Sequence, residues 1–208
     1  MSSTSDAVFR GVRIGLCPFE GVFWEVGLGW YNDPEIIALT SDDPNPLTVA
    51  QFEETMQADL DNPQSIVFGI VNEKDAPIGI GMLRHIDTLH RGCELHITIG
   101  EKDHWNRGYG AEAIGLMRDY VFEELGLHKI LSTPFSTNVR MVRCLEKCGF
   151  VIEGVLRDAL WIGERFIDVT IMGVIHPKEE TSASYGKKEK TKATKAKAHP
   201  FDLPDCKG

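Results

Sequence analysis

The chain lacks any long hydrophobic run. None of its apolar stretches approaches the roughly 20 residues that a transmembrane helix needs, so we predict no membrane partner. The first fifteen residues, MSSTSDAVFRGVRIG, contain no continuous apolar segment and so lack the core of a secretory signal. Together these absences predict a cytoplasmic protein.

Cysteine is sparse and has no metal-binding pattern. Five cysteines are scattered over 208 residues, and an odd number without a signal fits a reducing compartment. No CxxC or Cys/His pair has zinc-ligand spacing, so we predict no metal. Cys144 and Cys148 would share one face of a helix, where two buried small hydrophobic side chains are the simpler interpretation.

Positive charge is scarce outside the C-terminal part of the chain. The net charge is −9, yet residues 177–208 contain eight lysines against five acids, whereas residues 1–176 contain 26 acids against 14 bases. The acidic body argues against a nucleic-acid partner and suits a cationic partner, or merely solubility. The Lys-rich stretch has almost nothing to bury. We therefore predict one domain over 1–176 and a disordered tail over 177–208.

Hydrophobic periodicity predicts alternating strands and helices. Glu94, His96 and Thr98 lie on one face of a period-two strand, and Asp33-Pro34 ends the first helix. The predicted strands are 8–16, 65–72, 77–85, 94–99, 129–134, 151–160 and 165–175. The predicted helices are 20–32, 49–60, 108–125 and one that follows Asn138 and ends at Gly149. The order indicates a mixed α/β fold with a largely antiparallel sheet.

A glycine-containing loop, Trp105 to Ala113, leads from a strand into the strongest predicted helix. Glycine lets backbone N–H groups approach a ligand, and the N-terminus of a helix favours phosphate. Gly108-x-Gly110-x-x-Ala113 also matches the dinucleotide fingerprint. That fingerprint needs an acid at the end of the next strand, and none follows Lys129–Pro134. An NAD(P)-dependent enzyme is therefore disfavoured, while an ordinary structural helix start stays open.

Several motifs after residue 93 occur together. They are Arg107-Gly108-x-Gly110-Ala111, Asn138, Leu145-Glu146-Lys147-x-Gly149-Phe150 and Glu153-Gly154-x-x-Arg157. In this combination the chain resembles the GNAT N-acetyltransferase superfamily, in the branch of ribosomal-protein and polyamine N-acetyltransferases. The resemblance covers about 8–176 and is densest over 94–158. It implies an α/β (α+β) fold with a mixed, mostly antiparallel central sheet, flanked by helices, in which strands 94–99 and 129–134 splay apart.

The resemblance implies acetyl-CoA as cosubstrate in the cleft between those strands. Backbone groups of Ile97, Thr98 and Ile99 would pair with the pantetheine arm. The amides of the glycine loop would hold the pyrophosphate; these residues are Arg107, Gly108, Tyr109, Gly110 and Ala111. Asn138 would lie by the pantetheine or adenine end, or serve only as a helix cap. Arg140 and Arg143 would meet a phosphate, or form a solvated face.

The reaction implied is attack of an amine on a thioester, for which a base must first deprotonate the ammonium group. Glu94 is the first candidate and His96 the second, and a polar strand face without a catalytic role is the alternative for both. The general acid is unassigned, because Leu145 and Met141 occupy the positions where relatives place a tyrosine and a serine. A catalytically silent, CoA-binding regulator is therefore the alternative function.

The acceptor site would be built from the first two predicted helices, their connecting loop and the last hairpin. These segments carry Trp30, Asp33, Glu35, Asp42, Asp43, Trp161 and Asp168. An acidic and aromatic lining would suit a cationic amine, although surface charge or core packing explains each residue alone. We therefore expect a small cationic molecule or a peptide or protein N-terminus as acceptor. Paired subunits are common among proteins with this resemblance, so we also expect a homodimer.

Overall fold

One open sheet runs through the molecule and positions everything else. The computed structural model describes residues 9–177, and within them eight strands pair in the order β1-β2-β3-β4-β5-β6-β8-β7. The strands are β1 Phe9–Arg10, β2 Ile14–Pro18, β3 Ile66–Asn72, β4 Pro77–Asp87, β5 Gly92–Ile99, β6 Lys129–Ser132, β7 Val151–Ile162 and β8 Arg165–Ile175. All neighbours are antiparallel except β5 and β6. The predicted fold class is confirmed.

Three of the five α-helices within residues 9–177 begin where a side chain accepts from their first N–H groups. Asp33 accepts from the N–H groups of Glu35 and Ile36, and Asn138 accepts from that of Met141 at 3.1 Å. Such caps stabilise a helix by about 1 kcal/mol. The helices are α1 Val22–Tyr31, α2 Pro34–Thr40, α3 Val49–Asp61, α4 Tyr109–Asp119 and α5 Val139–Lys147, with a 3-10 turn at Lys102–His104 and a π-turn at Tyr120–Glu124.

The helices cover both faces of the sheet. On one face, the Phe23 ring of α1 packs over Gly69, at a place where any Cβ would collide with it. On the other face, the Met117 thioether of α4 packs over Gly81 in the same way. Every residue of β3 is buried, as expected for a strand enclosed between two layers.

The parallel pair β5 and β6 separates soon after it begins. The two strands pair only at Gly92–Glu94, and beyond that point the Ser132 hydroxyl donates to the Leu95 carbonyl at 2.9 Å. β5 continues to Ile99 beside β4, whereas β6 ends at Ser132. A gap therefore opens in the middle of the sheet, at the strands for which the sequence predicts splaying.

The structure differs from the predicted elements at three places. Predicted strand 8–16 is the hairpin β1–β2, because the Gly11 N–H donates to the Ile14 carbonyl and closes a turn. Asp33-Pro34 ends α1 as predicted but also begins α2, which the sequence analysis did not assign. The predicted helix 108–125 is α-helical only to Asp119 and ends in a π-turn. The predicted tail, apart from Pro177, lies outside the described residues.

Candidate active site

The start of α4 presents unpaired N–H groups to a cleft. Gly108 caps the helix in the left-handed region, with φ of 88°, which glycine adopts without strain. The first intrahelical bond runs from the Glu112 N–H to the Gly108 carbonyl at 3.0 Å. The N–H groups of Tyr109, Gly110 and Ala111 therefore have no acceptor within the helix. Together with the helix dipole they form a site suited to an anion.

A cavity of about 420 Å³, here called the α4 lobe, lies between the start of α4, the end of β5 and α5. Nine of the eleven predicted cofactor residues line it: Ile97, Thr98, Ile99, Gly108, Gly110, Ala111, Asn138, Arg140 and Arg143. The side chains of the other two lie elsewhere. Arg107 is exposed, and its carbonyl accepts from the Arg13 guanidinium. The buried Tyr109 ring directs its hydroxyl to Glu73 at 3.2 Å.

The free edge of β5 faces the gap in the sheet. Gly100 donates to the Ile78 carbonyl of β4 at 2.8 Å, and hydrogen-bonded pairs alternate along an antiparallel ladder. The backbone bonds of Thr98 therefore belong to β4, whereas those of Ile97 and Ile99 point into the gap. The Ile99 carbonyl already accepts the Trp105 indole N–H at 2.6 Å. Ile97 is thus the residue whose backbone can pair with an extended ligand.

The α4 lobe also carries positive charge. Arg140, Arg143 and Lys147, all from α5, line it. The Arg140 guanidinium lies 3.7 Å from the centre of the Trp105 ring, within cation–π distance. Three cations beside a helix N-terminus fit a ligand with several phosphates.

A second cavity of about 380 Å³, here called the acidic lobe, lies on the other side of the gap and includes Asp42 and Asp43. The two lobes share one wall, formed by Ile36, Leu39, Thr40, Ile97, Thr98, Asn138 and Met141. The Asn138 amide donates to the Leu39 carbonyl at 3.2 Å and so ties α5 to α2. A ligand in each lobe would therefore meet the other at the gap between β5 and β6.

Of the predicted acceptor residues, only Asp42 and Asp43 line the acidic lobe. The Lys102 ammonium holds Asp33 at 2.8 Å and Glu35 at 3.1 Å. Three more lie apart from both lobes. The buried Trp30 indole donates to Glu101. The Trp161 side chain is 61% exposed and its ring contacts that of Phe166. The Asp168 carboxylate accepts from the Asp158 N–H.

The two predicted base candidates are brought together. Glu94 Oε2 lies 3.4 Å from His96 Nε2 and 3.0 Å from His85 Nδ1. The close approach of His96 Nε2, and then a hydrogen bond with His85, lowers the pKa of Glu94 to about 2. His96 lines the acidic lobe, whereas Glu94 lines neither lobe. At the expected acid positions, Leu145 is buried and Met141 is part of the shared wall.

Several residues of the site were not predicted from the sequence. Trp105, Cys144 and Lys147 line the α4 lobe, and Ile36, Leu39 and Thr40 of α2 line both. The available signal for α2 was an aspartate followed by proline, which is typical of a helix start.

Residues 9–177 contain neither a candidate membrane-spanning helix nor a candidate metal-binding group. None of the helices in that range is both long and apolar enough to cross a membrane. In the same range, no three His, Cys, Asp or Glu side chains are grouped so that they could hold a metal ion.

Relatives of this chain are acetyltransferases. A spermidine N(1)-acetyltransferase of Vibrio cholerae is 36% identical over 101 residues, which cover 49% of this chain and 58% of that enzyme's length. An uncharacterized N-acetyltransferase of Bacillus licheniformis is 28% identical over 151 residues, covering 70% of this chain and 83% of that protein.

Solved structures agree with the sequence relatives. The crystal structure of the Vibrio cholerae spermidine N-acetyltransferase in complex with CoA and spermine superposes with a TM-score of 0.73 and 26% identity, over 79% of this chain and 96% of that one. The family model for the acetyltransferase (GNAT) domain matches residues 13–151. The resemblance stated from the sequence is therefore confirmed, and the chain belongs to the GNAT acetyltransferase family.

Proposed function

We propose that the protein transfers the acetyl group of acetyl-CoA to a primary amine of a small cationic molecule. The observation that carries this proposal is the pair of lobes, one cationic and one acidic, that meet at the gap between β5 and β6. The α4 lobe suits the phosphates and the extended arm of CoA. The acidic lobe suits an ammonium group, and the shared wall brings the thioester and the amine together.

The residues of the α4 lobe fit CoA in type and position. The N–H groups of Tyr109, Gly110 and Ala111 would bind the pyrophosphate, as helix N-termini do. Arg143 and Lys147 would neutralise further phosphate charge, and the free carbonyl of Ile97 would accept a hydrogen bond from an amide of the pantetheine arm. The related Vibrio cholerae structure contains CoA, which supports the same use of this fold here.

The chemistry requires a free amine, because an alkylammonium group with a pKa near 10.4 has no lone pair. Once deprotonated, the nitrogen attacks the thioester carbon, and the N–C bond forms as the C–S bond breaks. The oxyanion that develops can accept a hydrogen bond from a backbone N–H in the gap, such as that of Ile97. A thiol with a pKa of about 8.5 leaves as a moderately stable thiolate, so a dedicated acid is dispensable.

The charges of the acidic lobe favour a cationic acceptor. Asp42 and Asp43 lie in its wall. Arg84 also lines it, but Asp59 holds that guanidinium through Nε at 2.9 Å and through Nη2, so its charge is compensated. The Vibrio cholerae relative given above, as a sequence and as a solved structure, is named for spermidine, a polyamine. A cleft with one sign of charge concentrates the opposite sign.

The experiment is the release of CoA thiol from acetyl-CoA with a polyamine, an aminoglycoside, short peptides and an amino-sugar nucleotide. We expect the highest kcat/KM with the polyamine, falling as salt is raised. Asp42→Asn with Asp43→Asn should raise KM for the polyamine, whereas Asp61→Asn, at an exposed position at the end of α3, should not. Preference for the sugar nucleotide would refute the electrostatic argument. CoA binding without thiol release from any amine would indicate the silent regulator.

We further propose that a second copy of the chain covers the β7–β8 hairpin. β7 is an edge strand, and Val155, Leu156, Trp161 and Phe166 are each about half exposed or more, which is unusual for a monomer surface. Light scattering should give a dimer mass, and Trp161→Lys with Phe166→Lys should give a monomer. A monomeric native protein at micromolar concentration would contradict this.

The cysteines of residues 9–177 are free thiols, consistent with the cytoplasm as the expected location.

A further inference from the structure

Three titratable side chains, Glu94, His85 and His96, lie side by side at the edge of the acidic lobe. We propose that His96 takes the proton from the acceptor ammonium through Nδ1, and that Glu94 is a positioning residue that holds the opposite ring nitrogen. This inference rests on the proposed acetyl transfer. It divides between the two residues a role that the sequence left open.

Position along β5 separates the two candidates. Thr98 borders both lobes and so marks the place where thioester and amine meet. Side chains on one face of a strand recur about every 7 Å along it. His96 therefore lies about 7 Å from Thr98, and Glu94 lies about 13 Å from Thr98. Glu94 also lies where β5 is still paired with β6. The imidazole therefore reaches the lobe, and the carboxylate does not.

The two ring nitrogens of His96 have different surroundings. Nε2 is fully enclosed, faces Glu94 Oε2 at 3.4 Å and has no aligned hydrogen-bond partner among residues 9–177. Nδ1 is not enclosed, and the ring lines the acidic lobe. A proton on Nε2 is favoured by the adjacent carboxylate, which leaves the lone pair on Nδ1. Catalytic hydrogen bonds are often long before substrate binds, so 3.4 Å is compatible with this role.

Glu94 is suited to hold a charge and unsuited to take a proton. Its pKa of about 2 makes the carboxylate a weak base at neutral pH. A bulge in β4 between Arg84 and Asp87 brings His85 Nδ1 to within 3.0 Å of the same oxygen. The other charged group near the cluster, Arg84, is bound by Asp59. Glu94 therefore stays ionised and stabilises the imidazolium that forms on His96.

The proton balance is simple. The ammonium group gives one proton to His96 Nδ1 and becomes a nucleophile, while the proton on Nε2 stays where it is. The nitrogen bonds to the thioester carbon, the C–S bond breaks, and the second N–H proton passes through solvent in the lobe to the sulfur. His96 then returns its proton to water. The products are an amide, a free thiol and one proton released.

The test compares His96→Gln and Glu94→Gln with wild type, and uses His90→Gln as the matched control because His90 is an exposed histidine on the β4–β5 turn. We expect His96→Gln to lower kcat at neutral pH on the order of 10²-fold with CoA affinity unchanged. Its rate should then rise with pH up to the pKa of the amine, near 10. Because the imidazolium loses its carboxylate partner, Glu94→Gln should lower kcat about tenfold and move the ascending limb of the pH profile to lower pH. His90→Gln should match wild type.

Two results would overturn the assignment. One is a His96→Gln variant that keeps at least half of the wild-type kcat at neutral pH. The other is a pH limb that persists unmoved in His96→Gln and disappears in Glu94→Gln, which would make Glu94 the base. Neither result affects the proposed function, because that fails only if wild-type protein releases no thiol with any amine. CoA titration of each variant shows whether the fold and the α4 lobe are intact.

Discussion

Replacing Gly110 by aspartate should strengthen the fold and weaken CoA binding at the same time. The position is in the first turn of α4 and lines the α4 lobe. A Cβ there would lie 3.5 Å from Cys144 Sγ, an ordinary contact, so a side chain fits. A carboxylate in the first turn of a helix stabilises it by about 0.3–1 kcal/mol. The same carboxylate would stand where the pyrophosphate is expected.

The size of the binding loss follows from Coulomb's law. At about 5 Å, two unit charges repel by about 0.8 kcal/mol in water and about 3.3 kcal/mol at an effective dielectric constant of about 20. A value in the middle of that range weakens binding more than tenfold, since about 1.4 kcal/mol is a factor of ten.

Calorimetric titration with CoA and a thermal melt measure the two effects on one sample. Gly110→Ala is the matched control, because it adds the Cβ without the charge, and it should keep CoA affinity within about threefold, or less than about 0.7 kcal/mol. Unchanged CoA affinity in a folded Gly110→Asp variant would refute the location of the pyrophosphate. Equal losses in both variants would show that space, and not charge, is decisive.

Three further predictions concern single side chains. Asn138→Ala removes the cap of α5 and the bond to the Leu39 carbonyl, so urea unfolding should show a loss of about 1 kcal/mol or more; Asn138→Asp, which keeps the cap, should recover part of it. The carboxylate of Glu94 stabilises the fold above its usual pKa of 4.5, and this contribution disappears as pH falls through about 2. Glu94→Gln should therefore flatten the dependence of the unfolding free energy on pH between these two values. An unaltered dependence would contradict the lowered pKa. The neighbouring Cys148 side chain, and then the Lys147 charge, lower the pKa of the Cys144 thiol, whereas burial raises the pKa of Cys93 to about 12. Iodoacetamide should therefore label Cys144 before Cys93, and CoA should protect Cys144.

Local patterns in the sequence were enough for most of the sheet and for nine of the residues that line the α4 lobe. The alternation at Glu94–Ile99 and the glycines before α4 specify their structure through nearest neighbours, and both occur as predicted. α2 was not assigned because Asp33-Pro34 carries two meanings, the end of one helix and the start of the next. The structure shows that Asp33-Pro34 does both, because Asn32 caps the end of α1 and the extended Asp33 caps the start of α2.

The acceptor side depended on contacts between distant residues, which periodicity does not report. Trp30 and Asp33 belong to the predicted segment, yet each is held by a partner about 70 residues away, Glu101 and Lys102 respectively. Gly100 permits this arrangement, because any Cβ there would collide with the Trp30 ring. The division of roles between Glu94 and His96 was equally hidden, since it depends on where β6 leaves β5.

The common wall of the two lobes has a kinetic consequence. Of the residues that border both lobes, Thr40 and Thr98 carry the only hydroxyls, and the Thr40 hydroxyl donates to the Ile36 carbonyl. No thiol, amine, imidazole or carboxylate of the described residues stands in that wall to carry an acetyl group from one substrate to the other. Direct transfer across this wall requires both substrates to be bound at once, so we expect double-reciprocal plots to intersect rather than run parallel, and a dead-end amine to trap the protein with its thioester intact.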